Sequence, residues 1–466
     1  MKKFLALLVS ILLLFGAAAC NEKSEYYTAA DGAYQETEKG TPSPVYAKTY
    51  EAIGGRDVMP IGTFYGPSTG YVSNAYQFET MISEKYFNLF ADCGLNFFTY
   101  SLDAATVGNS IHDMFELCDR YGMGIFLLDS GVISDSTAAT VTADALTKLI
   151  QEYQGYTSLL GLHVKDEPNK EAIDIYADFV KTYKQTGYDG YYDLYFNLLP
   201  VYGTLMSMGM NNYEEYVNYY FEQLDVEFAS WDFYPFGAGG SVNHPGYFEN
   251  LSIIKHYSDL YEVPYWAFIQ CGASFETPID ECVPNEDQFI WNVNTNLAYG
   301  VKGIQYFTLT QPSFFLDEND PEGATREGMF GVYNNINQWY YYAKKANKQI
   351  KAIDHILMHA NNEGVIFHGN SPMEKSTGEE VIVSGTFRQL TGVSGSDALI
   401  GCFDYMGGTA LYVVNNSYTE KDANINLYFD GVYGYDVIQR GVSAFVTGNA
   451  LSLRLDGGEG ALVVLR

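Results

Sequence analysis

From residue 59 onward the apolar positions follow a repeating rhythm. A short continuous apolar run is followed by a polar break, then by a stretch with apolar residues at three- and four-residue steps, then by another run. Eight runs stand out: MPIGTFYG (59–66), LNFFTYSL (95–102), MGIFLLD (123–129), SLLGLHVKD (158–166), YYDLYFNLL (191–199), VEFASWDFY (226–234), VPYWAFIQ (263–270) and VKGIQYFTL (301–309). Runs that are apolar on successive positions belong to strands buried on both faces, as parallel strands are. Between them, stretches such as AYQFETMISEKYFNLFADCG and EAIDIYADFVKTYKQTG carry one apolar stripe at the helical period, and a last helix is expected over roughly 334–357. Eight β–α units predict a closed (β/α)8 TIM barrel over residues 51–358. An open doubly wound sheet is the alternative; the first strand lacks its GxGxxG turn, and eight is the closing number. After residue 359 the period drops to two in EEVIVSGTFRQL, DALIGCFDYM, TALYVVNNSY, ANINLYFDG and GALVVLR, which predicts an antiparallel β-sandwich domain over 359–466.

Composition narrows the partners. A formal net charge of −31 disfavours nucleic acid and anionic membrane surfaces, whose phosphates it would repel. With 41 tyrosines and 16% aromatic residues, the chain is well supplied with flat faces that carry a polar edge, a form suited to sugar rings. There is no P-loop, no HExxH and no Ser-His-Asp elbow, and no cofactor is expected. FLDENDPEG (315–323) lacks EF-hand spacing and reads as a solvated loop. No CxxC pair suggests zinc. Cys93 and Cys118 fall on helical stretches as core residues, while Cys271 and Cys282 could bridge a loop, a pairing the sequence leaves open.

The N-terminus, MKKFLALLVSILLLFGAAAC, places two lysines, a short apolar run and small residues before Cys20. It resembles a bacterial lipoprotein signal, although Ala17 stands where that pattern prefers leucine, so ordinary secretion stays open. The resemblance implies removal of the signal peptide at 1–20, lipidation of Cys20, and a protein anchored to the cell envelope, facing outside the cytoplasm, with the lipid as its only membrane contact. Residues 21–50 are polar and aperiodic, as a tether would be.

In (β/α)8 barrels chemistry gathers at the C-terminal ends of the strands. Those ends carry Tyr65, Asp129, the Asp166-Glu167 pair, Asn197, Trp231 with Asp232 and Tyr234, Trp266 and Gln270, and Gln305 with Tyr306. Acids, amides and aromatics with almost no base suit a neutral, hydroxyl-rich ligand. Some of these residues are polar only because loops are wet. The Asp-Glu-Pro turn has two readings. Asp166 could cap the next helix with Glu167 at its positive end. Alternatively, adjacent acids raise one another's pKa and keep Glu167 protonated as a general acid. Lys165, just before them, either lowers a neighbour's pKa or lines the barrel, and His163 reads as an interior histidine.

The KDEPN turn after the fourth strand resembles the Asn-Glu-Pro-like turn of retaining (β/α)8 glycoside hydrolases of the large clan that includes family 42 β-galactosidases and family 5 cellulases. The likeness covers residues 59–358 and the trailing sandwich, and implies a glycosidase with Glu167 as acid/base. The clan's second element, a nucleophilic glutamate after strand seven, fails: VPYWAFIQCG puts Gln270 there. Three routes stay open. Asp232 could supply the second carboxylate, with inversion at a separation of about 6.5–9.5 Å and retention at about 5–5.5 Å. Asp166 could orient a substrate acetamido group, as in substrate-assisted hexosaminidases. Or the barrel could bind carbohydrate without catalysis. Glu276 fits the spacing poorly. The expectation is hydrolysis of a neutral oligo- or polysaccharide, with non-catalytic sugar binding as the alternative and a scaffold lipoprotein behind both.

Overall fold

The computed structural model describes residues 51–466 apart from 70, 73–76, 103–110, 238–239, 275–282, 311–325, 332 and 370–379. Within these, strands and helices alternate in the order β1 (Ile61–Thr63), α1 (Glu84–Cys93), β2 (Phe97–Ser101), α2 (Ile111–Tyr121), β3 (Gly124–Leu128), α3 (Ala143–Tyr153), β4 (Leu159–Asp166) and α4 (Lys170–Lys184). The series continues with β5 (Asp193–Leu198), α5 (Tyr213–Leu224), β6 (Ala229–Trp231), α6 (His244–Tyr261), β7 (Tyr265–Gln270), α7 (Glu286–Tyr299), β8 (Gly303–Phe307) and α8 (Gln338–Ile350). All neighbouring strands pair in parallel, and β1 pairs with both β2 and β8, so the eight strands close into a barrel. Residues 275–282 and 311–325, which include Cys282, Glu276 and FLDENDPEG, lie outside the described residues.

The barrel interior is filled rather than hollow. Phe97, Phe126, Leu160, Tyr195, Phe228 and Trp266 form one buried layer, with the Trp266 and Phe228 rings stacked 3.8 Å apart. Glycine makes that layer possible: a Cβ on Gly62 would lie 2.4 Å from the Phe97 ring, and one on Gly303 would lie 2.5 Å from Trp266. The last helix is shorter than its pattern suggested. Asn334 is left-handed, Asn337 becomes the cap, and the chain breaks after Ile350 before a separate turn at Asp354–Leu357, where Asp354 accepts hydrogen bonds from the Met59 and His355 amides.

From Asn361 onward the described residues form nine antiparallel strands, β9 (Asn361–His368), β10 (Leu390–Gly395), β11 (Ala398–Tyr405), β12 (Gly408–Asn415), β13 (Ala423–Phe429), β14 (Gly434–Gln439), β15 (Val442–Thr447), β16 (Ala450–Leu455) and β17 (Gly460–Leu465). They make a six-stranded sheet, β9-β11-β12-β17-β14-β15, and a three-stranded sheet, β10-β13-β16. Their inward residues, among them Ile366, Leu411, Val413, Ile425, Leu427, Leu453 and Val463, share one core. The strand expected over EEVIVSGTFRQL does not form in its described part. Val381 makes only a bridge to Val365, and the chain turns at Ser384–Gly385, where the Ser384 hydroxyl accepts from the Thr386 amide.

Helix α7 joins the two parts. All its residues from Phe289 to Tyr299 are buried, and its polar ones bond both ways: Asn294 Nδ2 donates to the Gly458 carbonyl of the sandwich and Asn294 Oδ1 accepts from the Tyr412 hydroxyl at 2.7 Å, while Asn292 and Asn296 donate to the Tyr247 hydroxyl of α6. Among the described residues no helix is long and apolar enough to cross a membrane.

Candidate active site

The Asp-Glu-Pro turn is built at the C-terminal end of β4. Asp166 pairs with Asn197 of β5, and the Glu167 amide donates to the Asn197 carbonyl at 2.8 Å. Pro168 is buried, and its carbonyl accepts from the Tyr216 hydroxyl of α5 at 2.8 Å. Asn169 caps α4, its side chain accepting from the Ala172 amide at 2.9 Å. That removes the capping reading of Asp166, since the cap is already supplied. Glu167 itself is left-handed, φ 49°, a conformation that costs a side-chain-bearing residue on the order of 1–3 kcal/mol and concentrates at functional sites.

Beside Glu167, two acids meet around one amide. Asn197 Nδ2 donates to Asp166 Oδ1 at 3.1 Å and to Asp232 Oδ1 at 2.8 Å. The amide cannot turn over, because the Ser230 hydroxyl donates to its Oδ1 at 2.8 Å. Ser230 is held in turn by Gln305 Nε2 at 2.7 Å, and Gln305 Oε1 accepts from the Tyr195 hydroxyl at 2.7 Å. A buried polar ladder thus climbs from the barrel interior and fixes the two aspartates in place.

The electrostatics follow from crowding. Asp166 and Glu167 are open to solvent on one side while protein surrounds their carboxyls on the other, as on a cleft wall. Burial, and then the charge of Asp166, push Glu167 up to about 7 against the lowering effect of Lys165. Burial raises Asp166 also, opposed by the Asn197 bond and Lys165. Asp232, only 5% exposed, is raised well above the ordinary carboxylate range by burial and by the charges of Glu167 and Asp166. At neutral pH the cluster therefore carries fewer than three charges and can hold a proton. Lys165 reaches Asp135 at 2.9 Å, and Tyr176 donates to the same carboxylate. His163 is buried edge-on to Phe64 and Tyr195, and burial lowers it to about 4, which keeps it neutral.

An aromatic wall runs beside the acids: the Phe307 ring lies 5.9 Å from Tyr65 and 5.5 Å from Tyr234. Tyr65 is left-handed, φ 54°. Sequence reading missed Phe307, Ser230 and Tyr202, the last on the loop between β5 and α5, where no periodic signal marks a position.

Several residues expected at the site sit elsewhere. Trp231 follows Ser230 on β6; with Ser230 directed at Asn197, strand alternation turns Trp231 outward, fully buried in the surrounding core. Trp266 belongs to the deep barrel layer described above. Tyr306 also points outward, its ring stacked on Phe289 and its hydroxyl donating to Asn347 Oδ1 of α8. None of the three faces the cleft. Gln305 is fully buried beneath the acids and positions Ser230. Asp129 closes its own turn by accepting from the Gly131 amide at 2.9 Å. Gln270 is clamped to one backbone unit: its Oε1 accepts from the Phe236 amide at 3.0 Å and its Nε2 donates to the Phe236 carbonyl at 2.8 Å. Glu327, a further acid beyond β8, is raised by burial, and its carboxylate accepts from Asn337 Nδ2 at 3.3 Å.

No protein-family model matches the chain, and no curated protein matches it. It is similar to solved structures that include a family 39 glycoside hydrolase from the gut symbiont Bacteroides cellulosilyticus WH2, at 12% identity over 88% of this chain and 82% of that one, TM-score 0.47. A family 30 endoxylanase from Clostridium papyrosolvens C71 is similar at 12% identity, over 89% of this chain and 98% of that one, TM-score 0.41. An endo-β-1,4-mannanase from Thermotoga petrophila is similar at 10% identity, over 86% of this chain and 99% of that one, TM-score 0.42.

Proposed function

We propose that this chain hydrolyses glycosidic bonds in a neutral oligo- or polysaccharide, with Glu167 as the general acid. The observation that carries this reading is the Glu167 carboxyl, held near 7 at the open rim of a closed barrel and in a left-handed turn. A carboxylic acid with that pKa is protonated often enough at neutral pH to give its proton to the leaving oxygen, and becomes a base for the water that follows.

The second carboxylate is Asp166 rather than Asp232. Asp166 faces solvent beside Glu167, whereas Asp232 is buried and its carboxyl raised well above the ordinary range, which suits it to tuning its neighbours. Gln270 has no carboxylate and both ends of its amide are engaged. Neighbouring acids on one turn favour substrate assistance. Glu167 protonates the leaving oxygen as its bond to the anomeric carbon breaks. The carbonyl oxygen of a 2-acetamido group forms the new bond to that carbon, and its N–H donates to Asp166. Water, deprotonated by Glu167, then opens the cyclic intermediate.

A panel of aryl glycosides with 2-hydroxy and 2-acetamido sugars tests this. Turnover confined to 2-acetamido sugars, and lowered by Glu167→Gln most for the most basic aryl leaving groups, is the expected result. Turnover of 2-hydroxy sugars alone would refute assistance, and sugar binding with no turnover would leave a non-catalytic carbohydrate-binding barrel. The Cys20 signal supports placement on the outer face of the cell envelope. Palmitate incorporation lost in Cys20→Ala is the outcome that reading requires.

A further inference from the structure

We infer that Tyr202, on the loop between β5 and α5, is a platform for the leaving-group ring of the substrate, continued outward by Leu205 and Met206. The inference deepens the proposed hydrolysis and rests on it for the direction of the leaving group. Tyr202 is pinned on one side only. Its ring packs edge-on against Phe233 at 4.9 Å, and the Tyr234 backbone hydrogen-bonds its hydroxyl. Yet 51% of the residue is exposed. Its hydroxyl is close enough to Asp232 and Glu167 to feel both charges, and with burial they hold it protonated well above neutral pH, so the ring presents a neutral face.

Scattered exposed apolar residues are ordinary. Here they cluster. Leu205 is 56% exposed and Met206 89%, on the single turn Leu205–Met208, which Thr204 holds by accepting from the Ser207 amide at 3.0 Å. Exposed apolar faces this close in the chain to a ring that feels the charge of the proton donor have little purpose for a core. It matches the C–H face of a sugar ring, which an already fixed tyrosine can receive at little entropic cost. Because Glu167 delivers its proton to the leaving oxygen, the ring nearest Glu167 on this side is the leaving group.

A glycan array probed with Glu167→Gln, with and without Tyr202→Ala, selects the sugar. Turnover by the Glu167-containing chain is then compared on the selected oligosaccharide and on the corresponding glycosyl fluoride, whose leaving atom has nothing to stack. Tyr202→Ala should weaken array binding and lower kcat/KM for the oligosaccharide by about three- to tenfold, the worth of one aromatic contact, while fluoride hydrolysis falls much less. Tyr202→Phe, which keeps the ring, should restore the oligosaccharide rate. A merely structural role would lower both substrates together and would overturn the inference, as would unaltered oligosaccharide kinetics. No glycan bound by Glu167→Gln overturns platform and hydrolysis alike. Binding weakened by Tyr202→Ala with no turnover by the parent refutes hydrolysis alone and supports the platform.

Discussion

Replacing Asp166 by Asn isolates the charge that helps keep Glu167 protonated. Glu167 rises from an ordinary 4.5 to about 7, and of the two causes burial is the larger, the Asp166 charge the smaller. Removing that charge while keeping the side chain's shape should therefore lower the Glu167 midpoint, by less than burial raises it. Burial alone must leave the midpoint above the ordinary glutamate value. The assay is a carboxyl carbon titration of chain labelled at glutamate, with the Glu167→Gln spectrum identifying the signal, so that the result stands even if Asp166→Asn is inactive. In the parent chain kcat/KM should fall with the same midpoint near pH 7, because the acid form is the one that works. A parent midpoint below 5, or a midpoint that rises in Asp166→Asn, would refute the electrostatic reading of the pair.

Three further outcomes follow from the same geometry. Gln270→Glu replaces the donor on the Phe236 carbonyl by a second acceptor, and should cost about 1–3 kcal/mol of stability with no gain in turnover; a tenfold gain would show that strand seven had merely lost its nucleophile. Asp232→Asn should stabilise the fold increasingly as pH rises above the ordinary aspartate range. A carboxyl raised in the folded state favours folding at low pH and loses that advantage as pH climbs toward its folded value, whereas Asn does not titrate. The melting temperature of the variant should exceed the parent's by roughly 2–4 °C per kcal/mol, and a gap that shrinks with pH would contradict the raised Asp232. Trp266→Ala should cost about 3–5 kcal/mol in denaturant unfolding, as a core cavity does; a loss of sugar affinity at full stability would return Trp266 to the site.

The barrel was legible because its strands are apolar on both faces and its helices on one, two periods that few other folds combine at this repeat. The same property hid the orientation of side chains. Along a strand buried on both sides, Trp231 and Asp232, or Gln305 and Tyr306, differ in facing but not in the pattern around them. Sequence therefore placed Trp231 and Tyr306 at a rim that the pleat turns them from, and Trp266 at a rim that lies above its layer. The Asp-Glu-Pro turn was legible as chemistry, though its alternative role as a cap fell only when Asn169 took that place. Asn197, picked as a ligand contact, proves to be the bridge between two acids, which no spacing could reveal because its partners lie on β4 and β6. Tyr202 lies on a loop whose path only the packed chain defines.

The most direct measurement is kcat/KM for Glu167→Gln against the parent over glycosides of one sugar with leaving groups of increasing basicity. If Glu167 donates the proton, the variant should lose on the order of 10²–10⁴-fold with a sugar leaving group and progressively less as the leaving group becomes more acidic. A loss that is the same for every leaving group, or no loss at all, would contradict it.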